Sequence, residues 1–306
     1  MNTDKHGFLT GEFPDGSATA FTLPELLVIL AVLMLLGVMV LPAVARSGLN
    51  SKAFQCLNNS RQLCAAWRMY ADDNQDRLVF ASTGAPNGRG GSSVTFDTIN
   101  PGDPNNYAWT GAHMDFNGGN RANWDPEVDM MLRPLWKYNK SLTIYKCPSD
   151  HSTVTTTFAG PKDRILSMSM NLFLGGFCGT DGGWSYANNC RIFLKTTDLV
   201  APGPADTFVF MDGRSDAINW GDFFTDMIGY PNQLDLYAFA DLPGLLHDLA
   251  ASVSFADGRA EIHRWLDPRT TPPFQTDSFT VPPGVNAPSP NNPDVAWLQA
   301  HATRPK

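Results

Sequence analysis

The sequence predicts an α+β protein: a long N-terminal helix with a membrane-spanning first half, packed on a small antiparallel β-sheet with long loops. Three observations predict this. Residues 26–45 (LLVILAVLMLLGVMVLPAVA) are twenty positions without a charge, and at ~1.5 Å per residue such a helix spans the ~30 Å hydrocarbon core of a bilayer. Beyond it, Phe54, Leu57, Cys64, Trp67 and Ala71 recur at helical spacing among polar Asn58, Arg61 and Arg68, the pattern of a helix with one buried face. Further on, short apolar runs bounded by turn residues read as strands.

Taken in order, the helix over 26–73 is ~70 Å long at the same rise, with Pro42 and Gly48 as its kink points. Asp72-Asp73-Asn74-Gln75-Asp76 ends it with turn-forming residues. Residues 81–124 are rich in Gly, Asn and Ser, with Trp109 and Trp124 interspersed, and short helices are expected near 127–137. Strand-like runs follow at 165–170, 207–211, 251–256 and 259–265. The last two flank Asp257-Gly258, a strong hairpin signal because both turn positions need positive φ. The tail from Asp267 holds nine prolines in forty residues and is expected to be extended, with Val295-Ala296-Trp297-Leu298 as a docking anchor. No internal repeat is found.

A net charge of −8 without a basic cluster argues against nucleic-acid binding. The five cysteines are Cys56, Cys64, Cys147, Cys178 and Cys190, an odd number that leaves at least one thiol free. Cys178 and Cys190 bracket a Gly-rich loop and are the natural local disulfide pair in an oxidising compartment, while Cys56 or Cys64 could reach Cys147. No nucleophile motif such as G-x-S-x-G and no H-E-x-x-H is present, so no enzyme and no cofactor are expected. His113, Asp115, Asn117 and Asn120 offer the donor types Ca²⁺ takes, but without the EF-hand pattern.

Residues 20–27 (AFTLPELL) resemble the cleavage and methylation motif of type IV prepilins and pseudopilins, with Ala20 where that family usually has Gly. The resemblance implies a prepilin peptidase cutting between Ala20 and Phe21 and methylating Phe21. It also implies that Glu25 sets the register of assembly by meeting the free amine of a neighbouring subunit. Domain boundaries follow: a leader over 1–20, a transmembrane and assembly helix over 21–73, a globular domain over 74–266 and the Pro-rich tail over 267–306. Ala43-Val44-Ala45 would suit ordinary signal peptidase, but the apolar run is too long for that and Glu25 stands directly before it.

A second resemblance lies downstream. His247, nine intervening residues, then Asp257-Gly258 resembles the H-x9-DG signature of a pseudopilin-like group of planctomycete and verrucomicrobial bacteria. Residues 56–70 (CLNNSRQLCAAWRMY) and 145–150 (YKCPSD) are similar to further blocks of that group. Read from the residues alone, His247 is expected to hydrogen-bond to the hairpin and Asp257 to shape its turn.

The function these resemblances imply is structural: a pilin-like subunit of a type II secretion or type IV pilus-like system. It would polymerise with like subunits, depend on a prepilin peptidase and an inner-membrane assembly platform, and sit as a single-pass inner-membrane protein with its C-terminal domain outside. The alternative is a membrane-tethered carbohydrate- or protein-binding module, with Trp109, Trp124, Trp136 and Trp184 stacking on sugars.

Overall fold

Helix α1 (Leu23–Asp73) opens on Thr22-Leu23-Pro24-Glu25. Glu25 Oε2 accepts from the Thr22 amide at 2.9 Å and from its hydroxyl at 2.7 Å, and the Leu26 amide donates to the Thr22 carbonyl at 3.1 Å. This is one arm of a capping box, in which the N3 carboxylate satisfies the N-cap amide. Pro24 sits in the first turn, where a missing N–H costs nothing.

The structure, a computed structural model, describes residues 22–83, 104–111, 114–182, 189–218, 220–275 and 287–306, with backbone alone for 37–51 and 104–105. The expected leader, Ala20, Phe21, His113 and Trp184 lie outside the described residues. The chain divides into two units, Met1–Ser47 and Gly48–Lys306.

In the first unit the described side chains cover residues 23–36 of α1, and every one is exposed. Among the described residues no helix is long and apolar enough to cross a membrane. The expected membrane-spanning half of the helix, and the single-pass inner-membrane placement built on it, are therefore corrected.

The second unit corrects the expected small antiparallel sheet as well. Its strands are β1 (Thr153–Thr156), β2 (Gly160–Asp163), β3 (Met168–Asn171), β4 (Phe208–Asp212), β5 (Asp222–Phe223), β6 (Ala238–Phe239), β7 (Ala250–Phe255), β8 (Ala260–Arg264) and β9 (Ala287–Pro288). Five form one mixed sheet in the order β5-β3-β4-β7-β8, with β5 parallel to β3 and the other pairs antiparallel. β1 pairs with β2 and β6 with β9 in separate two-stranded ribbons. The helix α2 (Trp136–Asn139) and several 3₁₀ turns occupy the loop region before the sheet.

The central strands are buried on both faces: all of β4 (FVFMD) and all of β7 (AASVSF). Side chains alternate along a strand, so Ser252 and Ser254 share one face of β7, and Val253 and Phe255 the other. The even face receives the second part of α1, where Cys56, Ser60 and Cys64 form a seam at four-residue steps. Ser60 Oγ and Ser252 Oγ are 2.7 Å apart, and Cys64 Sγ donates to the Phe255 carbonyl at 3.1 Å. Small side chains on both surfaces allow this close approach.

The other face meets the tail. Instead of an extended segment, residues 293–302 form α3 (Pro293–Ala302), with Asn292 as N-cap and Pro293 at its start. Trp297 meets Phe255 edge-on at 6.4 Å and is sandwiched between His263, at 3.8 Å, and His301, at 4.3 Å. Val295, Leu298 and Ala302 join the core of the Gly48–Lys306 unit. Arg214, buried and bidentate on Asp216, also donates to the Pro272 and Pro273 carbonyls and so secures the start of the tail.

Candidate functional site

Four reactive side chains from four separated segments meet beneath the surface: Cys56, Cys147, Asp212 and His247. One ligand atom from each, taken together, lie within 4.8 Å of one another, and all four residues are buried.

Each is positioned by local chemistry. Cys56 stands on the α1 seam facing β7. Cys147 begins the turn Cys147-Pro148-Ser149-Asp150, closed by the Asp150 amide on the Cys147 carbonyl at 2.9 Å, with proline at the second position that such turns favour. α1 holds this segment through Asn59 Nδ2, which donates to the Thr143 and Lys146 carbonyls at 2.8 and 3.3 Å. The Cys147 amide donates to Ser167 Oγ at 2.7 Å, and the Ser149 amide donates to Cys147 Sγ at 3.4 Å.

Asp212 ends β4. Its Oδ1 accepts from the Ser252 amide, while Oδ2 has no hydrogen-bond partner among the described residues. His247 comes from a loop laid directly on Asp212. The Gly244 amide donates to the Asp212 carbonyl at 2.9 Å, and a Cβ at Gly244 would collide with that carbonyl. The next turn runs through Asp248 and Leu249 at φ 58° and 61°, conformations disfavoured for side chains other than glycine. The ring of His247 is thus set by a strained turn on one side and a glycine contact on the other.

His247 Nε2 lies 3.3 Å from Cys147 Sγ and 3.4 Å from Asp212 Oδ2, while Nδ1 has no partner among the described residues. A nucleophilic triad uses the two ring nitrogens separately, one on the nucleophile and one on the carboxylate. Here the same nitrogen faces both groups, so the arrangement is not a Cys-His-Asp triad.

The charges in this pocket oppose one another. Burial pushes the Asp212 carboxyl well above its ordinary value, and a Cys147 thiolate would add to that rise. Between the thiols, Cys147 ionises first, lowered chiefly by the Cys56 S–H and next by His247 against the cost of burial, whereas Cys56 is raised. Cys64, in the same seam but outside the cluster, is pushed up to about 12, mainly by burial.

The remaining expected residues are scattered. Glu25 is exposed and bound to Thr22, which holds its carboxyl below the ordinary value through the hydroxyl first and the amide second. Asp257 Oδ1 accepts from the Arg259 amide at 2.8 Å, but of the two turn positions expected at positive φ Gly258 alone takes it, at 95°. The His247 side chain turns away from that hairpin into the cluster. The Cys178–Cys190 bridge is not formed, since Cys190 is a buried free thiol. Asp115, Asn117 and Asn120 point side-chain oxygens at backbone amides of their own loop. Trp109 is buried, stacked on Tyr145 at 6.3 Å and edge-on to Phe210 at 5.1 Å, so its faces are covered. Asp212 escaped the sequence reading; its one signal was a carboxylate closing a wholly apolar strand.

Compared with known proteins, the chain matches no family model, no curated protein and no solved structure.

Proposed function

We propose that this chain is a pilin-like structural subunit, trimmed before Phe21 and polymerised through its N-terminal helix, with residues 48–306 as the folded body. One observation carries the reading. From Leu23 to Leu36 the helix exposes Leu23, Leu26, Leu27, Val28, Ile29, Leu30, Val32, Leu33, Met34, Leu35 and Leu36, on every side of its axis. Scattered apolar residues on a surface are ordinary, but a continuous apolar cylinder marks an interaction surface. A helix apolar all round is stable only when surrounded, and like helices from neighbouring subunits would surround it.

Glu25 fits this reading as the one charged side chain in residues 21–45. Its hydrogen bonds to Thr22 are local, and a neighbour's amine would take their place as subunits pack. The resemblance of residues 20–27 to a prepilin cleavage motif supports the same conclusion independently of the helix surface.

The test is mass spectrometry of the mature N-terminus in cells that express a prepilin peptidase. A chain beginning at N-methyl-Phe21 is expected. An intact Met1, or a start at Arg46, would refute the proposal.

A further inference from the structure

We propose that Cys56, Cys147, Asp212 and His247 form a structural zinc site, with the two sulfurs, His247 Nε2 and Asp212 Oδ2 as its ligands. The inference is independent of polymerisation and holds whether or not the chain assembles.

The geometry comes first. Zinc binds nitrogen and oxygen at ~2.0–2.1 Å and sulfur at ~2.3 Å, which in a tetrahedron sets N···O edges near ~3.3 Å and N···S edges near ~3.6 Å. The observed edges are 3.4 Å from Nε2 to Oδ2 and 3.3 Å from Nε2 to Cys147 Sγ. The four donors lie within 4.8 Å of one another, so small side-chain movements close the cage.

The unused polar atoms point the same way. Asp212 Oδ2 is buried without a hydrogen-bond partner among the described residues, while the same carboxylate's Oδ1 is held by the Ser252 amide. A carboxylate oxygen in the interior without a hydrogen bond is costly, and a cation resolves it. Cys147 Sγ accepts from the Ser149 amide at 3.4 Å. These second contacts hold ligands in place around a metal.

The donor set chooses the ion. Two thiolates, an imidazole and one carboxylate suit zinc and exclude calcium or magnesium, which take oxygen ligands. Four protein ligands leave no open position, which makes the site structural instead of catalytic. Its ligands come from α1, from the turn after residues 142–145, from the end of β4 and from the loop before β7. One ion would therefore pin the helix, a loop and the sheet together, and its binding free energy would become folding free energy. The three sequence blocks that resemble the pseudopilin-like group, around Cys56, Cys147 and His247, converge here.

The test uses the full-length chain purified under reducing conditions with zinc in the medium. Elemental analysis is expected to find one zinc per chain, and cobalt substitution to give the absorption of a tetrahedral thiolate site. The double variant Cys56→Ser/Cys147→Ser should lose both. Because losing a ligand can itself unfold the protein, the wild type is also probed directly. Alkylation of Cys56 and Cys147 should be blocked in the zinc form and appear after chelation, together with a fall in Tm. Three outcomes overturn the proposal: reduced thiols without metal, a Cys56–Cys147 disulfide without metal, or stoichiometric zinc retained by the double variant.

Discussion

Asp222 shows how a single buried group makes the whole fold sensitive to pH. It sits at the edge strand β5, buried, and desolvation first, then the neighbouring Asp241, raises its pKa to about 8. Asp241 is itself raised to about 7, chiefly by desolvation, although the Phe224 amide donates to its Oδ2 at 2.6 Å. The folded state therefore binds these protons more tightly than the unfolded chain, whose carboxyls titrate near ~3.9. Their contribution to stability is complete below that value and is lost as pH rises through about 7 and then about 8. Melting temperature should accordingly fall between pH 5 and pH 8.5, by about 2–4 °C for each kcal/mol lost in a domain this size. Asp222→Asn removes the titration and should flatten the slope. Calorimetry of the two proteins across that range checks it, and identical slopes would show that Asp222 is not the group responsible.

Among the elements, α3 depends on its first turn. Asn292 Oδ1 accepts from the Asp294 amide at 2.8 Å, and its Nδ2 donates to Ser289 Oγ at 2.9 Å. The buried Asp294 carboxylate accepts from the Leu266 and Asp267 amides and from the Thr270 hydroxyl. Asn292→Ala should cost about 1–2 kcal/mol, the upper part of the range for a lost N-cap, as read by denaturant unfolding; a change below a few tenths would show that the cap is dispensable. The sequence hid this helix because prolines dominate its surroundings, yet Pro293 occupies the first helical position, where proline is welcome. Strands β3, β4, β7 and β8 fall on the runs read at 165–170, 207–211, 251–256 and 259–265, since apolar residues between turn signals carry local information. β5, β6 and β9 are two residues each and were invisible, for their pairing is set by what packs around them. The cluster follows the same rule. Cys56, Cys147 and His247 were visible one at a time, but Asp212 joins them only through the register of β4 against β7 and the close passage of Gly244.

At the scale of the molecule, the two units obey opposite solvation rules. Most large apolar side chains described in residues 48–306 are buried between α1, the sheet and α3, and this unit includes every donor of the proposed metal site. Residues 23–36 present leucine, valine, isoleucine and methionine to their surroundings with almost no polar relief. Apolar area of that kind contributes about 25 cal/mol per Å² when covered, enough for several exposed leucines together to drive association. Separating the units should therefore separate folding from assembly. A chain beginning at Gly48 should remain monomeric by analytical ultracentrifugation and unfold within about 2 °C of the longer protein, because the core of the folded unit is built from residues after Gly48. The chain beginning at Phe21 should self-associate under the same conditions. Replacing Leu27, Leu30 and Leu33 together by Asn should reverse that association while leaving unfolding unchanged. If the Gly48 fragment associates as strongly as the longer chain, the contact surface lies on the folded unit, and the helix is not what joins the subunits.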